Sequence, residues 1–280
     1  MSSITVVTTF HKPGLEIYGQ RFIDSFAAKV DKSIKLIVYA EGCTPINPDL
    51  GQIFIQDAYE ALPKLNAFKE RWKDVPKANG DISTDPVRSR RKDSNKLFKW
   101  DAVRFANKVY AVLDACNKRE GNWIVWMDAD SYIHSDWSYK AFKVLLPENK
   151  YITYVGRGKG SQTWPECGFY GLNMNHPVCH SFLQEFERMY EDADNGMFLL
   201  PEWHDSYIFG EVLKQFKEFN ADHDYSAQMY MREAKSGGGG HPLINTELGK
   251  YMDHMKGERK KAGKSKPSDI MVNRPEEYWK

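Results

Sequence analysis

Two short β-branched runs enclose a helical pattern near the start of the chain, and their order restricts the fold. The runs are residues 4–10 and 34–40, and each is followed by a stretch that contains Pro and Gly. Between them, apolar residues recur at the three- and four-residue spacings of a buried helix face: Leu15, Tyr18, Phe22, Phe26 and Val30. Because strand, helix and strand in this order form a parallel unit, we expect an α/β fold with helices flanking a mostly parallel sheet.

The same alternation of apolar runs and helical patterns continues to about residue 217. Further strands are expected at 52–56, 122–128, 151–156 and 167–173, and further helices at 94–116, 135–146, 177–192 and 204–217. A polar segment at 75–93 is a loop long enough to be functional or mobile. The 280 residues suit a single domain at 1–236, followed at 237–280 by a glycine hinge and a basic segment.

Composition and the missing motifs exclude several classes of protein. The net charge of +1 gives no nucleic-acid signature, and no apolar run reaches the ~18 residues of a membrane span. The four cysteines form no C-x-x-C pair and the N-terminus lacks the features of a signal peptide, so a cytoplasmic location is expected. Dinucleotide-binding, P-loop and G-x-S-x-G motifs are absent.

The expected strand at 122–128 leads into two carboxylates one residue apart, Asp128 and Asp130. In a parallel sheet, ligands gather beyond the carboxyl ends of the strands. If the backbone stays extended there, both acids point the same way and repel each other unless they share a cation. Mn²⁺ or Mg²⁺ is commonly held by one or two carboxylates together with substrate phosphates. The pattern therefore indicates a site for a metal and a diphosphate, with two solvated acids as the alternative.

An apolar strand that ends in a D-x-D motif resembles the nucleotide-sugar glycosyltransferases of the GT-A fold. Residues 166–173, "ECGFYGLN", resemble the glycine- and aromatic-rich strand that lines the sugar site in these enzymes. Residues 194–213 are similar to a motif of the retaining blood-group-type α-galactosyl and N-acetylgalactosaminyl transferases. Trp203, His204 and Asp205 match that motif, but Ser206 stands where the family has a catalytic Glu.

This resemblance implies roles for particular acids and a histidine. Asp130 would bind the metal, and Asp128 would contact metal, ribose or sugar. Asp205 would face the donor sugar as the first catalytic candidate, and Glu166 would contact acceptor or donor as the second. His204 would orient the donor. The alternatives are a helix cap for Asp205, a solvated acid for Glu166 and a packing residue for His204.

Further positions would bind the donor. Thr8, Thr9 and Phe10, at the end of the first strand, would hold the nucleoside. Arg104 and Lys108, four residues apart on one helix face, would reach the phosphates unless that face is simply solvated.

The basic segment offers its own candidates for the donor site. By resemblance to a late His and Lys in GT-A enzymes, His241 would complete the metal shell and Lys250 would contact the diphosphate. Lys256, Arg259 and Lys260 form one basic stripe if they are helical. The stripe is interpreted as a lid over the diphosphate, a solvated tail or a weak contact with an anionic membrane surface.

The function expected from these features is that of a hexosyltransferase assisted by Mn²⁺ or Mg²⁺. It would move a sugar from a nucleotide-diphosphate donor to a hydroxyl of a glycan or another acceptor. Two alternatives stay open. One is a non-catalytic nucleotide-sugar or glycan-binding module, because Ser206 replaces the family Glu. The other is a D-x-D phosphotransferase or phosphatase, although such enzymes usually carry the motif on their first strand.

Overall fold

The computed structural model describes residues 2–156, 164–219, 226–230 and 243–280. Within these ranges the strands are β1 (Ile4–His11), β2 (Lys35–Glu41), β3 (Ile53–Asp57), β4 (Trp123–Met127), β5 (Ser131–Ile133), β6 (Ile152–Gly156), β7 (Glu166–Asn173), β8 (Ser226–Tyr230) and β9 (Met252–His254). The helices are α1 (Lys12–Gly14), α2 (Gln20–Lys29), α3 (Ala58–Ala61), α4 (Pro63–Trp72), α5 (Ala102–Asn117), α6 (Tyr139–Val144), α7 (Pro177–Glu191), α8 (Asp205–Phe219) and α9 (Arg259–Ala262). A π-helical turn at Leu15–Gly19 joins α1 to α2.

Seven strands form the main sheet, in the order β3-β2-β1-β4-β7-β6-β8. Neighbouring strands pair in parallel except at β7, which runs antiparallel to both β4 and β6. The expected α/β fold, a mostly parallel sheet flanked by helices, is confirmed. Because β1 and β4 are adjacent and parallel, the residues that follow them lie at the same edge of the sheet.

Both faces of the sheet are covered by apolar side chains. Successive residues of a strand point to opposite faces, so Val6 and Val7 join two different hydrophobic clusters. One cluster includes the apolar faces of α4, α5, α7 and α8. The other includes those of α2 and α6 and part of the chain after residue 243. Every residue of β4 is buried, which fits a central strand with a layer on each side.

The helix expected at 94–116 begins later than its apolar pattern predicted. A 3₁₀ turn at Leu97–Trp100 precedes α5, and Asp101 caps the helix by accepting a hydrogen bond from the Arg104 amide at 3.2 Å. Phe98 lies in this turn and is 43% exposed. The Asp101 cap therefore sets the start of the helix, since it satisfies an amide that has no partner inside the first turn.

The described part of the C-terminal segment packs against the rest of the chain. The Met255 amide donates to the Asp130 carbonyl at 2.9 Å, and the His134 amide donates to the Tyr251 carbonyl at 2.9 Å. Leu248 and Met252 are fully buried. The glycine run at 237–240 lies outside the described residues, so the boundary at 237 stays a prediction. No helix in the described part of the chain combines the length and the apolar character that a membrane crossing requires.

Candidate active site

The end of β4 and the short β5–β9 ribbon assemble a cluster of two acids and a histidine. Asp128 directly follows β4, and Asp130 directly precedes β5. β5 pairs antiparallel with β9, which places Ser131 opposite His254. As a result, His254 Nε2 lies 3.1 Å from Asp130 Oδ1 and 3.4 Å from Asp128 Oδ2. One ligand atom from each residue falls within 4.8 Å of the others.

This cluster fits a divalent cation. Its donor set is two carboxylate oxygens and one imidazole nitrogen, and the carboxylates favour Mg²⁺ or Mn²⁺. The close packing also depends on Gly168 in β7. A Cβ atom there would lie 2.9 Å from His254 Cε1 and 3.3 Å from Asp128 Oδ2. Gly168 thus leaves the room in which the three ligand side chains approach one another, which explains the glycine in this strand.

Lys108 connects the cluster to Asp205. Its Nζ lies 2.8 Å from Asp128 Oδ1 and 2.8 Å from Asp205 Oδ2, and it donates to the Cys167 carbonyl at 2.9 Å. Asp128 Oδ1 also accepts from Trp126 Nε1 at 2.7 Å. Burial alone would raise the pKa of Asp128, but the charges of Lys108 and His254 outweigh it and hold this pKa well below its usual range.

The other two members of the cluster are also held in their charged forms. Burial would lower the pKa of His254, yet Asp130 and Asp128 raise it to about 9. Burial would raise the pKa of Asp130, yet His254 brings it below its ordinary value. Lys260 adds a further cation, with Nζ 2.8 Å from Asp130 Oδ2. A metal would therefore meet a neutralised pair of acids, and His254 must lose a proton to bind it.

A cavity of about 310 Å³ opens beside this cluster, at the edge of the sheet where β1 and β4 end. Its lining combines cations, carboxylates and aromatic rings: Thr9, Phe10, His11, Tyr18, Glu41, Arg104, Phe105, Asn107, Lys108, Trp126, Asp128, Ala129, Asp130 and Lys260. Burial, and then the charges of Asp130 and Asp128, raise the pKa of Tyr18 to about 12, so its hydroxyl stays neutral. Arg104 is exposed and has no ion pair within the described ranges.

Two of the three residues expected to hold a nucleoside line the cavity. Thr9 donates its hydroxyl to the Tyr39 carbonyl at 2.7 Å, and Phe10 packs against Gly19. Thr8 is fully buried and does not line the cavity. Thr8 lies further inside β1, whereas the cavity opens at the end of the strand that Thr9, Phe10 and His11 form.

Within the matched segment Trp203, His204 and Asp205, the last two residues contact side chains that line the cavity. His204 contacts Phe105, and Asp205 contacts Lys108. His204 is buried among the aromatic residues Phe98, Phe105, Trp164 and Tyr207. Its Nδ1 accepts from the Tyr207 amide at 3.3 Å, so His204 performs the capping role considered for Asp205. Asp205 is 3% exposed and reaches the cluster through Lys108. Neither His204 nor Asp205 lines the cavity.

The basic stripe is divided among three acids instead of forming one surface. Lys256 Nζ lies 2.5 Å from Glu166 Oε1, Arg259 pairs with Asp269, and Lys260 pairs with Asp130. Glu166 is buried at the start of β7. These pairs place the cations of the stripe on internal acids, which gives no support to a contact with an anionic membrane surface.

Lys250, predicted to contact the diphosphate, does not line the cavity. Lys250 is half exposed and pairs with Glu247 at 2.6 Å. His241 lies outside the described residues. His254 lies where a metal-binding histidine was expected, and sequence reasoning missed it. The local signal was weak: a histidine in the short run "MDHM", with no helical pattern around it.

The sequence matches neither a protein-family model nor a curated protein. Among solved structures, the chain is similar to the apo structure of WbbM, a bifunctional glycosyltransferase, with a TM-score of 0.46 and 14% identity. The alignment covers 81% of this chain and 39% of that one. A match at this level does not assign the chain to a family.

Proposed function

We propose that this protein is a metal-dependent glycosyltransferase of the hexosyl type, with a GT-A-like fold. It transfers a sugar from a nucleotide-diphosphate donor to a hydroxyl of a glycan or another acceptor. The observation that carries the proposal is the convergence of Asp128, Asp130 and His254 beside a cavity that Arg104 and Lys260 also line. Metal-binding acids next to cations and aromatic rings suit a ligand with a base, a ribose and two phosphates.

Different residues of the site would bind different parts of the donor. Asp128, Asp130 and His254 would hold Mn²⁺ or Mg²⁺, which when bound supplies Lewis-acid stabilisation of the leaving diphosphate. Arg104 is placed to bind phosphate oxygens, since it is an exposed cation at the same cavity. Thr9, Phe10 and the neutral Tyr18 offer a hydroxyl and two rings for the nucleoside.

Two buried acids are candidates for the reaction at the sugar. Asp205 shares Lys108 with Asp128, so it lies one side chain away from the metal cluster. Its proposed role is to steady positive charge on the sugar carbon or to take the acceptor proton. Glu166 is the second candidate, because it lies on β7 two residues before Gly168, whose carbonyl accepts from the Asp128 amide at 2.9 Å.

The proposal is tested by thermal unfolding with uridine and guanosine diphosphates, each with and without Mn²⁺. We expect one nucleotide to stabilise the protein in the presence of Mn²⁺, by roughly 2.7 kcal/mol at a hundred times its dissociation constant. Asp130→Asn should abolish this stabilisation because it removes a metal ligand. Asp136→Asn is the matched control, since its side chain is 87% exposed and pairs with Lys29, away from the cluster. If neither nucleotide stabilises the parent with Mn²⁺, or if Asp130→Asn responds as the parent does, the proposal is wrong.

A non-catalytic nucleotide-sugar-binding module is the second candidate, and one observation favours it. Ser206 stands where the family has Glu, and it does not line the cavity. Such a module would bind the donor with Mn²⁺ but would neither hydrolyse nor transfer the sugar. The phosphatase alternative is weaker, because Lys108, Trp126 and His254 already engage both oxygens of Asp128, which would otherwise attack phosphorus.

A further inference from the structure

Asp130 has two cationic partners on opposite sides of its carboxylate. Oδ1 faces His254 at 3.1 Å, and Oδ2 faces Lys260 at 2.8 Å. Lys260 also lines the cavity, and its Nζ lies 5.0 Å above the Tyr18 ring. The same acid is therefore both a metal ligand in the proposed site and the resting partner of a lysine.

The side chain of Lys260 is held by fewer contacts than that of Lys108, the other lysine that lines the cavity. Lys260 lies in α9, a four-residue helix between Gly257 and Gly263, both of which have positive φ. Its side chain is 28% exposed, whereas that of Lys108 is 13% exposed and is held by two carboxylates and a carbonyl. A lysine with one acidic partner and a flexible stem can leave that partner at low cost.

We propose that Lys260 is a phosphate-binding residue that is stored on Asp130 and released to the diphosphate when a divalent cation binds. This inference rests on the proposed function. A divalent cation beside Asp130 repels the ammonium, so the two cations compete for one carboxylate. The donor's phosphates then give the displaced ammonium a new anionic partner in the same cavity. Metal and diphosphate thus strengthen each other's binding, and the coupling is reciprocal.

The chain offers matched controls for this exchange. Arg104 lines the same cavity but has no ion pair within the described ranges, so it serves phosphate binding without competing with metal. Lys261 is the next residue of α9, is exposed, does not line the cavity and has no ion pair within the described ranges, so it is the matched control. Lys260→Arg keeps the charge and should behave like the parent.

The test is a Mn²⁺ titration of the full chain, first alone and then with uridine or guanosine diphosphate, each followed by calorimetry. Lys260→Met should raise the affinity for Mn²⁺ alone about tenfold, because a competing cation is gone. It should lower the Mn²⁺-dependent affinity for the diphosphate about tenfold, because a phosphate contact is gone. Arg104→Met should lower the diphosphate affinity and leave the Mn²⁺ affinity within about twofold. Lys261→Met should change neither affinity.

Opposite shifts of the two affinities in Lys260→Met support the exchange. An unchanged Mn²⁺ affinity, or a loss of both affinities, overturns it. Asp130→Asn, titrated alongside, separates this result from a failure of the proposed function. If Asp130→Asn abolishes Mn²⁺ binding while Lys260→Met does not alter it, the metal site stands and only the exchange is wrong. If Asp130→Asn binds Mn²⁺ as the parent does, the metal site itself is wrong and the exchange falls with it.

Discussion

Lys108 determines the charge balance around the two candidate acids. Its ammonium group contacts Asp128 and Asp205 and also donates to a backbone carbonyl. The sequence showed only its four-residue spacing from Arg104, which predicts a shared helix face. In the structure the two side chains differ in exposure and in ion pairing. Lys108 is fixed between two acids, whereas Arg104 stays exposed at the cavity.

The contact with Lys108 makes a substitution of Asp205 informative. Asp205→Asn keeps the size of the side chain and removes its charge. If Asp205 acts on the sugar, transfer or donor hydrolysis should fall at least about a hundredfold while Mn²⁺ and nucleotide affinities stay near those of the parent. Steady-state kinetics and calorimetry measure the two effects separately.

Two other outcomes for Asp205→Asn would contradict a catalytic role. A parallel loss of metal affinity and turnover would show that Asp205 only positions Lys108 against Asp128. Unchanged turnover would leave Glu166 as the next candidate, to be tested by Glu166→Gln.

At the scale of elements, the sequence predicted six of the nine described strands and missed β5, β8 and β9. The β-branched run at 4–10 became β1 (Ile4–His11) because local pattern and burial agree there. The start of α5 was missed because the Asp101 cap outweighed the apolar spacing.

The sequence predicted the two acids of the candidate site but not its histidine. Asp128 and Asp130 belong to one local motif, whereas His254 joins them through the pairing of β5 with a distant β9.

The approach of β7 to the metal cluster gives a prediction at this scale. Gly168→Ala places a methyl group 2.9 Å from His254 Cε1, so the ligands must shift and Mn²⁺ affinity should fall at least about tenfold. Gly171→Ala on the same strand is the control, because its added methyl meets Leu146 and Thr153 in the core. That variant should lose stability, typically by about 1–3 kcal/mol, and keep its Mn²⁺ affinity. Equal Mn²⁺ affinities in the parent and Gly168→Ala would contradict the assignment of His254 as a ligand.

At the scale of the whole molecule, the chain after residue 243 closes over the end of β5. The His134 ring stacks on Tyr278 with centroids 4.2 Å apart and meets the edge of Trp279 at 5.3 Å. Trp279 donates its ring N–H to the Gly249 carbonyl at 2.8 Å. Tyr278 and Trp279 thus pack against His134, the residue that follows β5.

This contact predicts a pH dependence of stability. Burial lowers the pKa of His134 from 6.5 to about 4, with Asp253 opposing the shift and Arg274 and Lys264 adding to it. Between these values the unfolded chain binds the proton and the folded chain does not, so stability is lost as pH falls from 6.5 to about 4. His134→Phe keeps a ring for stacking and cannot titrate. Its melting temperature should fall less than that of the parent between pH 7 and pH 5, and equal slopes would contradict the prediction.

The β5–β9 pairing also sets the order in which the site can form. His254 lies 124 positions after Asp130 along the chain, so their contact closes a long loop that carries an entropic cost. During synthesis the N-terminal part of a chain emerges and begins to fold first. The β1–β4 sheet core can therefore exist while only two of the three ligands are present. Under the proposed function, tight metal binding is then a late event, and it marks a molecule in which β9 has paired with β5.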